Sequence, residues 1–289
     1  MSNKFSKSWI NMRIYYDDLA RSDALVKFLK RSNKADSYHL IDMCCGSGSF
    51  LIWTLKNELI FKECTLVDND LDLLKSVKSN LRKNLKGKYS FKANTNNSDL
   101  EIFRGSEVRS TVRLKKGDCD EYKIGKNQSY IISYSAAIDL MSKSSINNSL
   151  SKLGDGNVLF YSLCFDGQVK WNPSHPYDKY ILSMFNRHQR SNKGFGAALG
   201  YESIEFLTKK AAKLGYRVAI KDSPWAIENK SERDMAFLKR YILDIKKSLY
   251  HLDQVDKDIL KKWYLDKRNS LTNKKVRVHV GHKDILIHR

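Results

Sequence analysis

Residues 40–50 decide the fold of this chain, and they read Leu-Ile-Asp-Met-Cys-Cys-Gly-Ser-Gly-Ser-Phe. A short apolar run ends in a turn of small residues, and an apolar helical pattern follows it as far as Leu55. Gly46 and Gly48 let a ligand approach the backbone closely, because a side chain at these positions would collide with it. The stretch therefore predicts a buried strand that passes through a ligand-binding turn into a helix.

The spacing of the glycines limits the kind of ligand. A nicotinamide-dinucleotide loop would need a third glycine where this chain has Leu51, and a nucleoside-triphosphate loop would need a Lys-Ser/Thr pair. Asp68 ends the next apolar run, where a carboxylate can accept both ribose hydroxyls of an adenosine. These residues predict a ligand with an adenosine and no pyrophosphate. The alternative is an ordinary strand–helix turn.

Seven apolar runs alternate with helical patterns, which is typical of βαβ units around a parallel sheet. The predicted strands cover residues 39–44, 64–68, 110–114, 130–134, 158–163, 217–220 and 276–287. Apolar residues at helical spacing mark residues 74–85, 204–214 and 235–249. We predict an α/β fold with a seven-stranded Rossmann-like sheet and helices on both faces.

Three stretches lie outside this alternation. Residues 1–36 are predicted to form an N-terminal helical cover, and residues 164–202 a lid-like insertion after the fifth strand. Residues 224–275 are predicted to add two helices before the last strand. With no linker or repeat between them, we expect a single domain over residues 1–289.

The composition places the chain among soluble proteins with a large core. Hydrophobic residues make up 42% of the chain, and no run approaches the ~18 apolar residues of a membrane span. The start of the chain lacks a signal-peptide pattern, and five cysteines cannot form a disulfide framework for this length. We therefore expect a cytoplasmic protein that does not bind membranes; the oligomeric state stays open.

The chain is strongly basic, with 52 Lys+Arg against 32 Asp+Glu and a formal charge of +20. Such a charge is compatible with a nucleic-acid partner. However, the lysines are scattered, and many fall opposite the apolar stripes of predicted helices, where solvation accounts for them. RNA is therefore a possible partner but a less favoured one than a small molecule.

The loop and its acidic neighbours give the chain a resemblance to class I S-adenosylmethionine-dependent methyltransferases over roughly residues 36–289. The first motif of that family is an acidic residue followed by glycines at alternate positions. Here it reads Asp42, Cys44, Gly46 and Gly48, with Cys44 in place of the first glycine. The resemblance implies S-adenosylmethionine as the cofactor, methyl transfer as the activity, and a mostly parallel sheet with an antiparallel last strand.

The resemblance also implies further cofactor contacts. Asp68 would hold the ribose, Asn69 the adenine edge, and Asp118 or Cys119 the adenine amino group. The segment 133–139 would face the methionine end and the substrate. Within that segment, Tyr134 is a candidate for the wall of the cofactor pocket and Asp139 for the catalytic site.

Residues 185–200, FNRHQRSNKGFGAALG, are similar to a block in a bacterial group of such enzymes that has no defined substrate. This block mixes basic, amide and aromatic side chains. The candidates for substrate contact are Trp171, Asn186, Arg190 and Lys193, and those for catalysis are Arg187, His188 and Asp139.

Two functions compete for this block, and a third explanation needs no ligand. In the first, it covers a small anionic metabolite: Arg187 or Arg190 clamps a carboxylate or phosphate, and His188 accepts a proton. In the second, the basic and aromatic side chains bind RNA. In the third, the block is a helix end that faces water.

We predict a methyltransferase that moves a methyl group from S-adenosylmethionine to a small anionic metabolite by in-line displacement. The alternatives are an RNA methyltransferase and a non-catalytic cofactor-binding regulator. Residues 133–136, Ser-Tyr-Ser-Ala, lack the Asp/Asn-Pro-Pro-aromatic turn typical of enzymes that methylate exocyclic base amines. We expect no metal, because His279 and His282 fall on opposite faces of a predicted strand.

Overall fold

The computed structural model describes residues 6–32, 37–93, 99–125, 128–192, 196–272 and 276–289. Within these residues, ten strands form one mixed sheet. The strands are β1 Tyr38–Met43, β2 Glu63–Asp68, β3 Ser90–Ala93, β4 Asp99–Arg104, β5 Glu107–Lys116, β6 Ser129–Ser135, β7 Val158–Asn172, β8 Arg217–Asp222, β9 Trp225–Glu228 and β10 Arg277–His288.

Helices surround the sheet. They are α1 Lys7–Ala20, α2 Ala24–Ser32, α3 Ser49–Lys56, α4 Leu71–Asn84, α5 Lys143–Ser151, α6 Asp178–Gln189, α7 Glu202–Lys213, α8 Glu232–Tyr250 and α9 Lys257–Ser270, with a 3₁₀ turn at Ile138–Leu140. The helix starts are defined by side-chain caps: the carboxylate of Asp70 accepts two backbone N–H groups of α4, and Ser231 and Asp234 form a capping box on α8.

The strand order explains where a ligand can bind. The sheet runs β3-β4-β5-β2-β1-β6-β7-β10-β8, and β9 pairs with β10. Strand β1 pairs in parallel with β2 on one side and with β6 on the other, so the chain order reverses between β1 and β6. In doubly wound sheets, ligands bind at the carboxyl ends of the strands at such a switch point.

The predicted α/β fold is confirmed. All seven predicted strands are present, in the order β5-β2-β1-β6-β7-β10-β8. The central five are parallel, and β10 is antiparallel to both β7 and β8, as the resemblance implied.

The strand count differs from the prediction in three places. Strands β3 and β4 extend the sheet beyond β5 as an antiparallel pair, and β9 lies within the stretch predicted to be helical. These strands are only four to six residues long, so their apolar pattern is too short to stand out. Strand β7 also continues past residue 163 to Asn172, because it pairs with β10 along its length.

Three hydrophobic cores pack against the sheet, and the first two lie next to the switch point. The first lies under α3 and α4 and is mainly aliphatic, with Leu51, Val77 and Leu81 among its buried members. The second is aromatic and joins α1, α6, α8, α9 and β9, with Phe237 and Trp225 at its centre. A third core packs α5 and α7 against the other face of the sheet. None of the described helices is long and apolar enough to cross a membrane.

Candidate functional site

The turn between β1 and α3 has the backbone shape that its glycines predict. Gly46 and Gly48 have φ values of +54° and +84°, in the left-handed region that favours glycine. A Cβ on Gly48 would also lie 3.1 Å from Cγ1 of Val77 in α4. Glycine at position 48 therefore allows both the turn and the close packing of α4 against it.

The carboxylate of Asp68 is fixed against this loop. Its Oδ2 accepts a hydrogen bond of 2.8 Å from the backbone N–H of Gly46, and its Oδ1 accepts one of 2.9 Å from the N–H of Asp70. Burial raises the pKa of Asp68, while these backbone hydrogen bonds lower it. The side chain thus lies at the carboxyl end of β2, beside the loop, where a ribose is expected.

Asp42 lies beneath the loop rather than at its surface. It is fully buried, and its Oδ1 accepts a hydrogen bond of 2.5 Å from Oγ of Ser133 in β6. Among the described residues, Oδ2 of Asp42 and Oγ of the neighbouring Ser47 have no partner. Burial raises the pKa of Asp42 to about 7. A buried carboxyl in this state favours a cationic group nearby, because a positive charge would stabilise its ionised form.

The three predicted adenine contacts differ in exposure: Cys119 is buried, whereas Asn69 and Asp118 are exposed. The partly buried thiol of Cys44, from the glycine motif, is hydrogen-bonded to Cys119, and this contact and burial raise the pKa of Cys44. Oδ1 of Asp118 accepts the N–H of Asp120 at 2.7 Å. The contacts of these residues with adenine stay predictions.

Tyr134, the predicted wall residue, lies in the third hydrophobic core. Its ring is buried and stacks on Tyr161 with centroids 5.1 Å apart and an angle of 13° between planes. Burial raises its pKa well above the usual value, so the hydroxyl stays protonated at neutral pH.

Helix α1 lies across the glycine loop. Cγ2 of Ile10 lies 3.9 Å from where a Cβ on Gly46 would be. Nδ2 of Asn80 in α4 donates to Oδ1 of Asn11 at 2.9 Å and to the carbonyl of Ser47 at 3.2 Å. Helix α1 therefore covers the loop, and the side-chain amide of Asn80 connects the two by donating to both.

Arg21, directly after α1, is a buried cation next to the loop. Its guanidinium donates to Oγ of Ser135 at 2.8 Å, of Ser49 at 3.0 Å and of Ser162 at 3.4 Å. These serines lie at the end of β6, at the start of α3 and in the first half of β7. Arg21 also pairs with Asp18 at 3.3 Å. The arrangement brings a positive charge to the carboxyl edge of the sheet.

Asp139 and Arg13 lie on the other side of the switch point. Asp139 is buried in the 3₁₀ turn after β6, and its Oδ2 accepts a hydrogen bond of 3.4 Å from Nε2 of Gln189 in α6. Burial raises the pKa of Asp139 to about 6, although the positive charge of Arg13 lowers it. Arg13 projects from α1 over the ring of Trp225, with Cζ 5.0 Å from the ring centroid.

The predicted substrate contacts are spread over several environments. Nδ2 of Asn186 donates to the carbonyl of Gly167 at 3.0 Å, and its buried Oδ1 has no partner among the described residues. Arg187 is exposed and His188 is partly buried. Lys193 lies outside the described residues. Helix α6 reaches the switch point at its last residue, Gln189, which donates a hydrogen bond to Asp139.

The structure separates Arg190 and Trp171 from this group. Arg190 is exposed and pairs with Glu202 and with the hydroxyl and ring of Tyr201. Trp171 belongs to the aromatic core, with its ring 6.4 Å from that of Trp263. In the described part of the chain, no three His, Cys, Asp or Glu side chains come together as a metal site needs.

Arg13 and Arg21 are absent from the sequence-based candidates. A signal for them exists in the sequence: Arg13, Asp17 and Arg21 recur every four residues, next to Ile10 and Ile14. Residues at this spacing share one helix face, so charged side chains fall on the apolar face of α1. Charge on the buried face of a helix indicates polar or oppositely charged partners beneath it.

Fold and loop together define a doubly wound α/β protein whose switch point suits a nucleoside ligand. No family model matches the chain, and no curated protein matches it. The similar solved structures include a candidate methyltransferase of Bacillus halodurans and the YcgJ protein of Bacillus subtilis. Both are 12% identical with a TM-score of 0.47; the first alignment covers 92% of this chain and 97% of the other, and the second 91% and 97%.

A further similar structure is an S-adenosylmethionine-dependent methyltransferase of Geobacter sulfurreducens in complex with S-adenosylhomocysteine. It is 11% identical with a TM-score of 0.43, and the alignment covers 96% of this chain and 98% of the other. Similarity at this level does not assign a function.

Proposed function

We propose that the chain is an S-adenosylmethionine-dependent methyltransferase acting on a small anionic metabolite. The observation that supports this most directly is the hydrogen bond between the Gly46 N–H and the Asp68 carboxylate at the switch point. It joins a glycine turn to an acidic strand end, which is the combination that binds a nucleoside in doubly wound sheets. The loop lacks the residues that would favour a dinucleotide or a triphosphate.

The surrounding residues fit the parts of this cofactor. Asp68 would accept the ribose hydroxyls, and Asn69, Asp118 and Cys119 would border the adenine. Arg21 would pair with the carboxylate of the methionine end, because it is a buried cation that contacts Ser49 at the start of α3. The cofactor supplies an activated methyl group, so the chain's own task is to orient the acceptor and exclude water.

A small acceptor is favoured by the position of α1 and its cations. The helix covers the glycine loop through Ile10 and Asn11, which suits a molecule that fits beneath it. Two arginines of the same segment lie near this edge of the sheet: Arg21 donates to Oγ of Ser135 at the end of β6, and Arg13 lies over the ring of Trp225. Partly buried arginines favour an anionic ligand over a neutral one. Catalytic roles for Arg187 and His188 stay predictions.

Isothermal titration of the full chain with S-adenosylmethionine tests the proposal. We expect saturable binding by the wild type and binding at least tenfold weaker, about 1.4 kcal/mol, in Asp68→Ala. Asp155→Ala is the matched control, because Asp155 is an exposed aspartate before β7. It should bind like the wild type. Absence of binding by the wild type, or unchanged affinity in Asp68→Ala, would contradict the proposal.

A further inference from the structure

We infer that Asp284, a buried aspartate of β10, is a positioning residue that holds Arg21 toward the methionine end of the cofactor. This inference rests on the proposed function, in which Arg21 pairs with the carboxylate of S-adenosylmethionine. Three features support it: the two backbone groups that Asp284 holds, the bulge in β7 beside it, and the contacts of Arg21 with residues at both places.

Asp284 joins two segments that are distant in the sequence. Its side chain is fully buried. Oδ2 accepts a hydrogen bond of 2.7 Å from the backbone N–H of Ser22, in the turn between α1 and α2, and Oδ1 accepts one of 2.8 Å from the N–H of Leu163 in β7. Hydrogen bonds to a carboxylate are stronger than those between neutral groups, so Asp284 fixes the turn against the strand.

The contact with β7 lies at a β-bulge. The pairing of β10 with β7 shifts by one residue at this point, so that both Ser162 and Leu163 lie opposite Asp284. Leu163 has a φ of +55°, in the left-handed region that is rare for residues other than glycine. A residue in this region is strained, and surrounding contacts must hold it. Asp284 supplies such a contact, because it accepts the N–H of Leu163.

Arg21 lies between the two points that Asp284 holds. Ser22 is the next residue after Arg21, and the backbone N–H of Arg21 itself donates to the last turn of α1. The main chain is therefore fixed on both sides of Arg21. Ser162 precedes Leu163, and its Oγ accepts a hydrogen bond of 3.4 Å from Nε of Arg21. Both hydrogen bonds of Asp284 thus support residues that place Arg21.

The contacts of Arg21 suit a ligand carboxylate. Its side chain is fully buried, and it donates to the hydroxyls of Ser135 and Ser49 at the carboxyl edge of the sheet. A serine hydroxyl can also donate, so both can turn toward a carboxylate that binds Arg21. The ion pair of Arg21 with Asp18, at 3.3 Å, is shared, because Lys56 lies 2.6 Å from the same carboxylate. One carboxylate does not neutralise two cations, so this place favours a further anion.

Asparagine at position 284 would break one of the two backbone contacts. Its side chain has one acceptor oxygen and one NH₂ donor, so one of the two backbone N–H groups would face a donor. Either the turn after α1 or the bulge in β7 would then shift, and the position of Arg21 depends on both. The adenosine end should be unaffected, because Asp68 is held by Gly46 and Asp70 instead.

Isothermal titration of the full chain with two ligands tests this inference. S-adenosylhomocysteine carries the amino-acid carboxylate, whereas 5′-methylthioadenosine has the same adenosine and sulfur without it. In Asp284→Asn, we expect binding of S-adenosylhomocysteine to weaken by about tenfold and binding of 5′-methylthioadenosine to change by less than about twofold. Asp222→Asn is the matched control, since Asp222 is exposed on the neighbouring strand β8. It should bind both ligands like the wild type.

A double-mutant cycle shows whether Asp284 acts through Arg21. Arg21→Gln should weaken binding of S-adenosylhomocysteine by about tenfold or more, and adding Asp284→Asn should weaken it by less than about twofold further. Binding of 5′-methylthioadenosine shows that each variant is folded. A further loss of about tenfold in the double variant, or an equal loss for both ligands in Asp284→Asn, would overturn the inference.

Amide hydrogen exchange in the wild type covers the case in which Asp284→Asn does not fold. S-adenosylhomocysteine should slow exchange at Ser22 and Leu163 by about threefold or more relative to 5′-methylthioadenosine, because a ligand carboxylate on Arg21 stabilises the contacts beside it. Equal exchange at these two amides with the two ligands would show that Asp284 and Arg21 are not coupled.

The two ligands also distinguish this failure from that of the proposed function. If both ligands bind the wild type and Asp284→Asn binds both as tightly, the positioning role of Asp284 fails alone. If neither ligand binds the wild type, the proposed function fails, and the role of Asp284 fails with it.

Discussion

The two sides of the switch point differ in what holds their polar side chains. On the loop side, both oxygens of Asp68 accept backbone hydrogen bonds, from Gly46 and Asp70. On the opposite side, here called the acceptor side, Asp139 accepts a hydrogen bond from the side chain of Gln189 in α6, and Asp17 accepts hydrogen bonds from the side chains of Arg13 and Trp225. The loop side is thus held by backbone groups of neighbouring residues, whereas the acceptor side is held by side chains from separate elements.

The difference follows from how each side is assembled. The loop side is built from residues 42–48 and 68–70, which are close in the sequence. The acceptor side takes residues from α1, the 3₁₀ turn, α6, β9 and β10. All of these elements except the 3₁₀ turn meet in the aromatic core. Changes in that core should therefore disturb the acceptor side more than the loop side.

Phe237→Ala should have the largest effect on stability. The buried ring of Phe237 lies 4.3 Å from that of Tyr16 and 5.1 Å from that of Trp9, both on α1, and 5.4 Å from Trp225. Its removal should lower the free energy of unfolding by about 4 to 5 kcal/mol, measured by urea denaturation. Hydrogen exchange should rise in α1 and α8 and stay unchanged in α3.

Leu81→Ala is the matched control in the aliphatic core. Leu81 is fully buried on α4, and its truncation should cost about 3 kcal/mol. Here exchange should rise in α3 and α4 rather than in α8. If hydrogen exchange rose in the same helices in both variants, the two cores would unfold together. That result would contradict the separate stability of the loop side and the acceptor side.

Asp42→Asn should have the next largest effect on the free energy of unfolding. This effect should be seen at neutral and basic pH but not at acidic pH. Burial raises the pKa of Asp42 from its ordinary 3.8 to about 7 in the folded chain. Between these values, the folded state holds a proton that the unfolded state has released, so stability falls as pH rises. The fall is complete above pH 7, because the carboxyl is then ionised in both states.

Asparagine removes this loss. We expect the stability of the variant relative to the wild type to rise by about 4 kcal/mol between pH 4 and pH 8, because about 3 pKa units at 1.36 kcal/mol each are lost in the wild type alone. The cost of a buried amide is the same at both pH values and cancels from this difference. Urea denaturation at both pH values measures the gain. Bound S-adenosylmethionine, a cation, should reduce it. A difference between the two proteins that is the same at pH 4 and pH 8 would show that Asp42 has an ordinary pKa.

The loop side could be predicted from the sequence because its signals are local. A run of apolar residues, two glycines and an acidic strand end are sufficient to place the loop and Asp68 at one edge of a parallel sheet. The pairs of Arg13 with Asp17 and of Asp17 with Trp225 could not be predicted in this way. They depend on how α1 packs against a strand more than 200 residues later.

The same limit applies to the aromatic and basic residues of the acceptor side. Trp171 and Arg190 have the residue types of a binding site, but type alone does not distinguish a core ring or a surface ion pair from a ligand contact. In the fold, Trp171 packs on Trp263, and Arg190 pairs with Glu202. Tertiary packing decides which side chains remain available to a ligand.

Arg190→Gln should have the smallest effect. The side chain is exposed and engaged with Glu202 and Tyr201, and exposed ion pairs contribute about 0–1 kcal/mol. We expect a free energy of unfolding within that range of the wild type, measured by urea denaturation, and unchanged binding of S-adenosylmethionine. Arg13→Gln is the comparison, because Arg13 pairs with buried Asp17 and lies over Trp225; its loss should cost more than the loss of Arg190. A larger loss of stability in Arg190→Gln than in Arg13→Gln would contradict this difference between a surface cation and a supported one.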